Sequence, residues 1–231
     1  TPQDPNSEWI SSLPHEVRKF ETSEGIGVEL RCRVRGLESS REIVLDRSNS
    51  KLRVTVRQRN LSKEARRLYP RWHPFAMVGD PYAENSAIYF PDEGGNIRKI
   101  KTGIGWDDQF LNPGGFVIAA NWKTGEGLWT AYEADKVPYL MTWTDYKKST
   151  RHPLRGSFTV EPQPPPELKG PGEKLVVVYE YFPFTSETPL ADFPTDVIGG
   201  EKKTDEARRF LKLVRPNLEM IGRYTMVPNP P

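Results

Sequence analysis

The chain begins its regular structure with an alternation of apolar and polar residues, the period of a half-buried β-strand. The apolar positions of this first predicted strand are Val28, Leu30, Cys32 and Val34. Two further strands are predicted over residues 42–46 and 52–57, and polar turns connect the three. Short sequential strands joined by such turns indicate an antiparallel meander.

A second group of strands is predicted in the later part of the chain, between turns rich in Gly, Asp and Asn. The predicted ranges are 87–91, 97–101, 116–121, 126–132, 138–144, 156–161 and 174–182. Four glycines and one proline predict a loop over residues 103–115, and five prolines predict an extended loop over 162–171. Residues 63–69 are expected to form a charged crossover with at most one helical turn.

The two ends of the chain differ from this β pattern. Residues 1–26 are expected to form an extended arm held by Trp9. Near the other end, apolar side chains at helical spacing predict the one helix. Its stripe consists of Ala207, Phe210, Leu211 and Val214, between a Thr204 cap and Pro216. The predicted fold is therefore an all-β, large antiparallel β-sandwich over 27–200, with a C-terminal helix and tail over 201–231 packed on it.

The composition argues against several classes of function. The 231 residues are 36% hydrophobic, enough for a sizeable core, and a net charge of +2 is too mild to indicate a nucleic-acid protein. One cysteine excludes an internal disulfide, and three scattered histidines form no zinc motif. No phosphate loop and no membrane-spanning apolar run is present, so no cofactor, metal or membrane insertion is expected. Because the chain begins with Thr1, a removed leader and export stay open, and the compartment is unassigned.

An arginine-rich sheet face is predicted on the early strands. It contains Arg31, Arg33, Arg35, Arg53, Arg57 and Arg59. Such a face could hold an anionic ligand, since arginine grips carboxylates in a bidentate fork. The favoured interpretation is a solvated face on which Glu29 and Glu42 pair with some of the arginines. Asn60-Leu61-Ser62 beside it matches an N-glycosylation sequon.

Two segments carry a resemblance to a known family. Residues 158–164 resemble the Leu-Glu-x-Gln-x-x-Pro segment of aldose 1-epimerases (galactose mutarotases), and 71–75 resemble their His-x-Tyr-Phe segment. The resemblance implies a galactose mutarotase-like supersandwich in which Glu161 is the catalytic base and His73 a sugar ligand. The family's Asp-His-x-Phe segment is matched by 107–110, where Asp108 replaces the histidine. Asp108 or His152 is then the expected acid.

The resemblance and the residues together predict a carbohydrate-binding protein with little or altered catalysis. The predicted cleft is lined by Arg71, His73, Trp106, Asp108, Trp143, His152 and Glu161. Indole faces stack on pyranose rings while arginine and carboxylates hydrogen-bond hydroxyls. Two alternatives stay open: an active aldose 1-epimerase-type isomerase, and a structural accessory domain of a polysaccharide-processing system. The expected partner is a saccharide and no nucleic acid, with the oligomeric state undetermined.

Overall fold

A computed structural model describes residues 13–48, 51–76, 78–79, 85–94, 97–102, 107–112, 114–121, 123–143 and 158–185. These residues form strands and turns, and no helix occurs among them, so the all-β prediction is confirmed. The strands are β1 (Glu16–Glu21), β2 (Gly25–Val34), β3 (Leu37–Asp46), β4 (Leu52–Asn60), β5 (Arg66–Leu68), β6 (Phe75–Ala76), β7 (Ser86–Pro91), β8 (Ile97–Lys101), β9 (Asp107–Leu111), β10 (Phe116–Asn121), β11 (Glu126–Tyr132), β12 (Tyr139–Trp143), β13 (Phe158–Gln163), β14 (Glu167–Lys169) and β15 (Lys174–Thr185).

The chain divides into two compact units. The first comprises Thr1–Arg71 and Pro166–Val178, and its sheet has the order β1-β2-β3-β4-β15, with a separate β14-β5 pair. The second comprises Trp72–Pro165 and Tyr179–Pro231. Its first sheet has the order β15-β11-β10-β7-β8, and its second has the order β6-β13-β12-β9. Strand β15 therefore contributes residues 174–178 to the first unit and 179–185 to the second.

The first unit follows the predicted alternation. Cys32, Val54 and Val56 are buried, as expected for the apolar face of the meander. On the opposite face, Glu29 contacts the guanidinium groups of both Arg18 and Arg31 at 2.9 and 2.8 Å. Glu42 pairs with Arg57, and Glu38 with Arg33. The predicted ion pairs of a solvated arginine face are thus present.

The second unit is a sandwich whose core lies between its two sheets. All six residues of β7, of β10 and of β13 are buried, as in strands that are covered on both faces. Phe90 of β7 contacts Phe110 of β9 with ring centroids 5.0 Å apart. The Tyr179 hydroxyl of β15 donates a 3.0 Å hydrogen bond to the Pro162 carbonyl of β13. These contacts identify the inner faces of both sheets.

Three expectations need correction. Residues 107–111, predicted as part of a loop, form β9 along β12. The crossover at 63–69 and the proline loop at 162–171 contain β5 and β14, which pair with each other. Residues 16–21 of the predicted arm form β1, paired along β2. The helix predicted at 204–216 lies outside the described residues.

Within the described part of the chain, no helix is long and apolar enough to cross a membrane.

Candidate functional site

The candidate site is built on β13, which presents different residues to its two faces. Successive strand residues point to opposite sides of a sheet. Pro162 shares a row with Leu140 and Phe110, and Phe110 contacts Phe90 of the other sheet, so this row lies on the inner face. Thr159, Glu161 and Gln163 therefore belong to the outer face. The sequence therefore places a carboxylate and an amide two residues apart on the face that is turned away from the sandwich core, where both side chains are buried.

His73 reaches the same outer face because of the register of β6. Ala76 pairs with Phe158 and Phe75 with Thr159. Continued two residues further along each strand, this antiparallel register sets His73 opposite Glu161. The observed contact agrees, since His73 Nε2 lies 2.9 Å from Glu161 Oε1. His73 therefore lies beside β13, two residues before the edge strand β6 begins.

Trp72 anchors this segment from the other side. The Trp72 indole Nε1 is buried, although the residue as a whole is half-buried. Burial raises the pKa of the Tyr181 hydroxyl of β15, and the Trp72 side chain beside it partly opposes the rise. Trp72 therefore helps to hold the neighbouring His73 in place.

The carboxylate of Glu161 is enclosed. Its side chain is 1% exposed, whereas that of His73 is 32% exposed. Gln163 Nε2 lies 3.3 Å from Glu161 Oε2 and also 3.3 Å from the Met141 sulfur. Met141 is the residue of β12 paired with Glu161. A carboxylate and an imidazole in contact can exchange a proton and can hydrogen-bond ligand hydroxyls, which suits both binding and acid–base chemistry.

The backbone register places Asp108 in a different row from Glu161. Asp108 pairs with Thr142, which pairs with Val160, whereas Glu161 pairs with Met141. The role of Asp108 as the acid stays a prediction.

The other predicted ligands have different placements. Trp143 pairs with Thr159 and Asp107, so it occupies the outer-face row next to that of Glu161, about 7 Å away by strand geometry. Arg71 ends the first of the two segments of the first unit, and its backbone N–H donates to the Tyr69 carbonyl at 2.8 Å. Trp106 and His152 lie outside the described residues.

Gln163 contacts the Glu161 carboxylate and was not among the residues predicted from the sequence. It follows Glu161 by two positions in a strand, and that spacing alone places both on one face. No group of three or more His, Cys, Asp or Glu side chains with metal-binding geometry occurs in the described part of the chain.

Comparison with known proteins gives the fold a family context. No family model matches the sequence, and no curated protein matches it. Solved structures do match. A galactose mutarotase-like protein from Clostridium acetobutylicum aligns with a TM-score of 0.56 and 11% identity, over 74% of this chain and 66% of that one. A proposed aldose 1-epimerase from Escherichia coli K12 aligns with a TM-score of 0.54 and 13% identity, over 74% and 69%.

A third match lies in a larger protein. A TPR-domain containing protein from Parabacteroides distasonis aligns with a TM-score of 0.60 and 17% identity, over 78% of this chain but 36% of that one. At these identities the matches establish the fold, which is that of the galactose mutarotase-like β-sandwiches, as the resemblance of the two segments predicts. This chain spans between 36% and 69% of the length of these three structures.

Proposed function

We propose that this chain binds a saccharide on the outer face of the β6-β13-β12-β9 sheet, at the His73–Glu161 pair, with little or altered catalysis. The observation that carries the proposal is the 2.9 Å contact between the two side chains on that face. The mutarotase-like fold of the chain supports a sugar as the class of ligand. The register position of Trp143, one outer-face row away, suits an indole that stacks on a pyranose ring.

An active aldose 1-epimerase-type isomerase is the second candidate. Mutarotation needs a base that takes the anomeric hydroxyl proton and an acid that protonates the ring oxygen. The contact between a carboxylate and an imidazole favours it, because one of the two groups can take each role. Glu161 as base and His73 as acid is the simplest assignment on the described residues.

An accessory domain of a polysaccharide-processing system is the third candidate. It is supported by the match in which this fold makes up 36% of a larger TPR-domain containing protein. In this role the same face would dock a saccharide chain for another part of the system. Binding of oligosaccharides in preference to monosaccharides would distinguish it from the first candidate.

The test of the proposal is direct binding of sugars to the parent protein and to a His73→Asn variant. D-Galactose, D-glucose and short oligosaccharides are titrated by calorimetry, and a glycan array extends the panel. We expect saturable binding that weakens at least about tenfold in the variant, the cost of one hydrogen bond to a charged or polarised partner. His15→Asn, a histidine change in the first unit, is the matched control and should bind as the parent does.

Two results would contradict this reading. If no sugar of the panel binds the folded parent protein, the saccharide proposal fails. If the protein does not change the interconversion rate of anomerically pure sugars, followed by NMR, the isomerase candidate fails. The binding proposal is tested separately by the calorimetric titration.

A further inference from the structure

We propose that the N-terminal arm, residues 1–12, folds back over an open apolar patch of the first unit and places the Trp9 and Ile10 side chains on it. The arm lies outside the described residues, whereas the patch lies within them, on β1, β2 and β3. Its role does not depend on a saccharide ligand, so this inference goes beyond the proposed function.

The open apolar patch occupies one face of the three outer strands of the meander. Its members are aliphatic and form three cross-strand pairs, Val17–Leu30, Val28–Ile43 and Ile26–Leu45. Val17, Ile26 and Leu45 are 61%, 50% and 44% exposed, and the other three side chains are half-buried. On β4 the same face continues with Val54 and Val56, which are buried. The face is therefore covered at β4 and open toward the edge strand β1.

An uncovered apolar surface of this kind indicates a contact partner. Single exposed apolar side chains are ordinary on protein surfaces, but contiguous ones mark an interaction surface. Two cationic side chains share the rows of this patch, since Arg41 pairs with Leu30 and Lys19 with Val28. The acid of the third row, Glu21, forms an ion pair with Arg47. The surface therefore suits a partner that is both apolar and acidic.

The arm has this chemistry. Residues 1–12 contain one apolar pair, Trp9-Ile10, two acids, Asp4 and Glu8, and no lysine or arginine. Glu8 adjoins Trp9, so a carboxylate comes near the cationic side chains when the indole lies on the patch. The indole face itself attracts a guanidinium or ammonium group.

The arm also enters the sheet beside the patch. It leads into β1 through a bend at Leu13, and Val17 is the second residue of β1. Trp9 precedes Val17 by eight residues. At about 3.3 Å per residue these eight span up to about 26 Å, whereas β3 lies only about 10 Å from β1. Because a short tether gives a high effective concentration, the arm is favoured over a second copy of the chain.

Photo-cross-linking from position 9 of the full chain tests the occupant. Trp9 is replaced by p-benzoylphenylalanine, which keeps an aromatic side chain, and the cross-linked peptides are identified by mass spectrometry after irradiation. We expect cross-links within one chain to β1, β2 and β3. Ile26→Ser on the patch should lower their yield at least about fivefold, because it removes apolar contact area. Arg33→Ser, on the opposite face of the same strand, is the matched control and should leave the yield unchanged.

Trp9→Ala provides a second readout. Uncovering the patch should raise the fluorescence of the dye ANS and speed amide exchange in β1 at least about threefold. Leu168→Ala, at a 69% exposed position on β14, should change neither.

Four results would overturn the inference. Cross-links from position 9 to a second chain would make the patch an interface between copies, and cross-links only to residues outside the first unit would exclude the arm from the patch. Equal yields with Ile26→Ser and Arg33→Ser would remove the patch as the contact surface. Unchanged dye fluorescence and amide exchange in Trp9→Ala would show that the indole covers nothing there.

Discussion

Asn60 offers the sharpest test of how the first unit is held together, because its buried side chain fills all four of its hydrogen-bonding positions. Nδ2 donates to the carbonyls of Glu64 and Lys169 at 2.8 and 3.0 Å. Oδ1 accepts from the backbone N–H and the hydroxyl of Ser62 at 2.9 and 2.6 Å. The side chain thus ties the end of β4 to the turn after it and to β14. We predict that Asn60→Ala unfolds the first unit more easily than any neighbouring surface change.

The size of the effect follows from the partners. Each hydrogen bond contributes about 0.5 to 1.5 kcal/mol net, so four give about 2 to 6 kcal/mol. The Glu64 carbonyl keeps a second donor, the Ser62 hydroxyl at 2.8 Å, and the turn can reach water. The expected loss is therefore in the lower half of that range, about 2 to 4 kcal/mol, or about 4 to 16 °C in Tm for a chain of this size.

Urea unfolding followed by tryptophan fluorescence and by far-ultraviolet circular dichroism measures the loss. Leu61→Ala is the matched control, since Leu61 is 41% exposed and adjacent in sequence, and it should change the free energy of unfolding by less than about 0.5 kcal/mol. An Asn60→Ala protein whose free energy of unfolding lies within about 0.5 kcal/mol of the parent value would refute the reasoning.

The burial of the Asn60 side chain also means that the sequon at this position should carry no glycan in the folded chain. Intact-mass measurement of protein secreted from eukaryotic cells would check this.

Three further predictions concern charge and the candidate site. The pKa of the Glu29 carboxyl is lowered, chiefly by a hydrogen bond from Arg31, and burial partly opposes this shift. The ionised carboxylate therefore stabilises the fold at pH values above the ordinary carboxyl pKa, and this contribution is lost as the pH falls through the folded-state pKa. Glu29→Gln should therefore be less stable than the parent at pH 7, and the gap should shrink toward pH 3 in urea titrations; a constant gap would contradict the linkage. The family resemblance implies that Asp108 lines the cleft, so Asp108→Asn should weaken sugar binding in calorimetry, and an affinity equal to that of the parent would remove this residue from the site. Trp72→Phe should weaken sugar binding in calorimetry, because the buried indole helps to hold the adjacent imidazole in place, whereas unchanged affinity would remove the anchoring role of Trp72.

The strands that were predictable from the sequence are those with their own strong pattern. Alternating or continuous β-branched and aromatic residues predict β2, β4, β10, β11 and β15, because their burial depends on side chains that each strand carries itself. Strand β9 lacks such a pattern, since Asp107 and Asp108 disfavour strands. Its conformation comes from pairing along β12, a partner thirty residues away that no local window contains.

The site was predictable only in part for a similar reason. The two segments with family resemblance supplied His73 and Glu161, and the structure brings these two together. Asp108 aligns with a histidine of the family, and its role stays a prediction, because the face of a strand residue depends on register. Register is set by partner strands, and the sequence alone does not give it. Gln163, by contrast, could have been found from its spacing of two from Glu161.

Because Trp72 and His73 are consecutive, this corner of the protein is sensitive to the number of residues that precede β6. Loss of Pro74, between His73 and β6, would advance both residues by one place along β13. The imidazole would then turn inward toward Tyr181, and the indole would cover Glu161. Homologous chains that keep a ligand here are therefore expected to vary in residue type across this segment but not in the number of residues it contains.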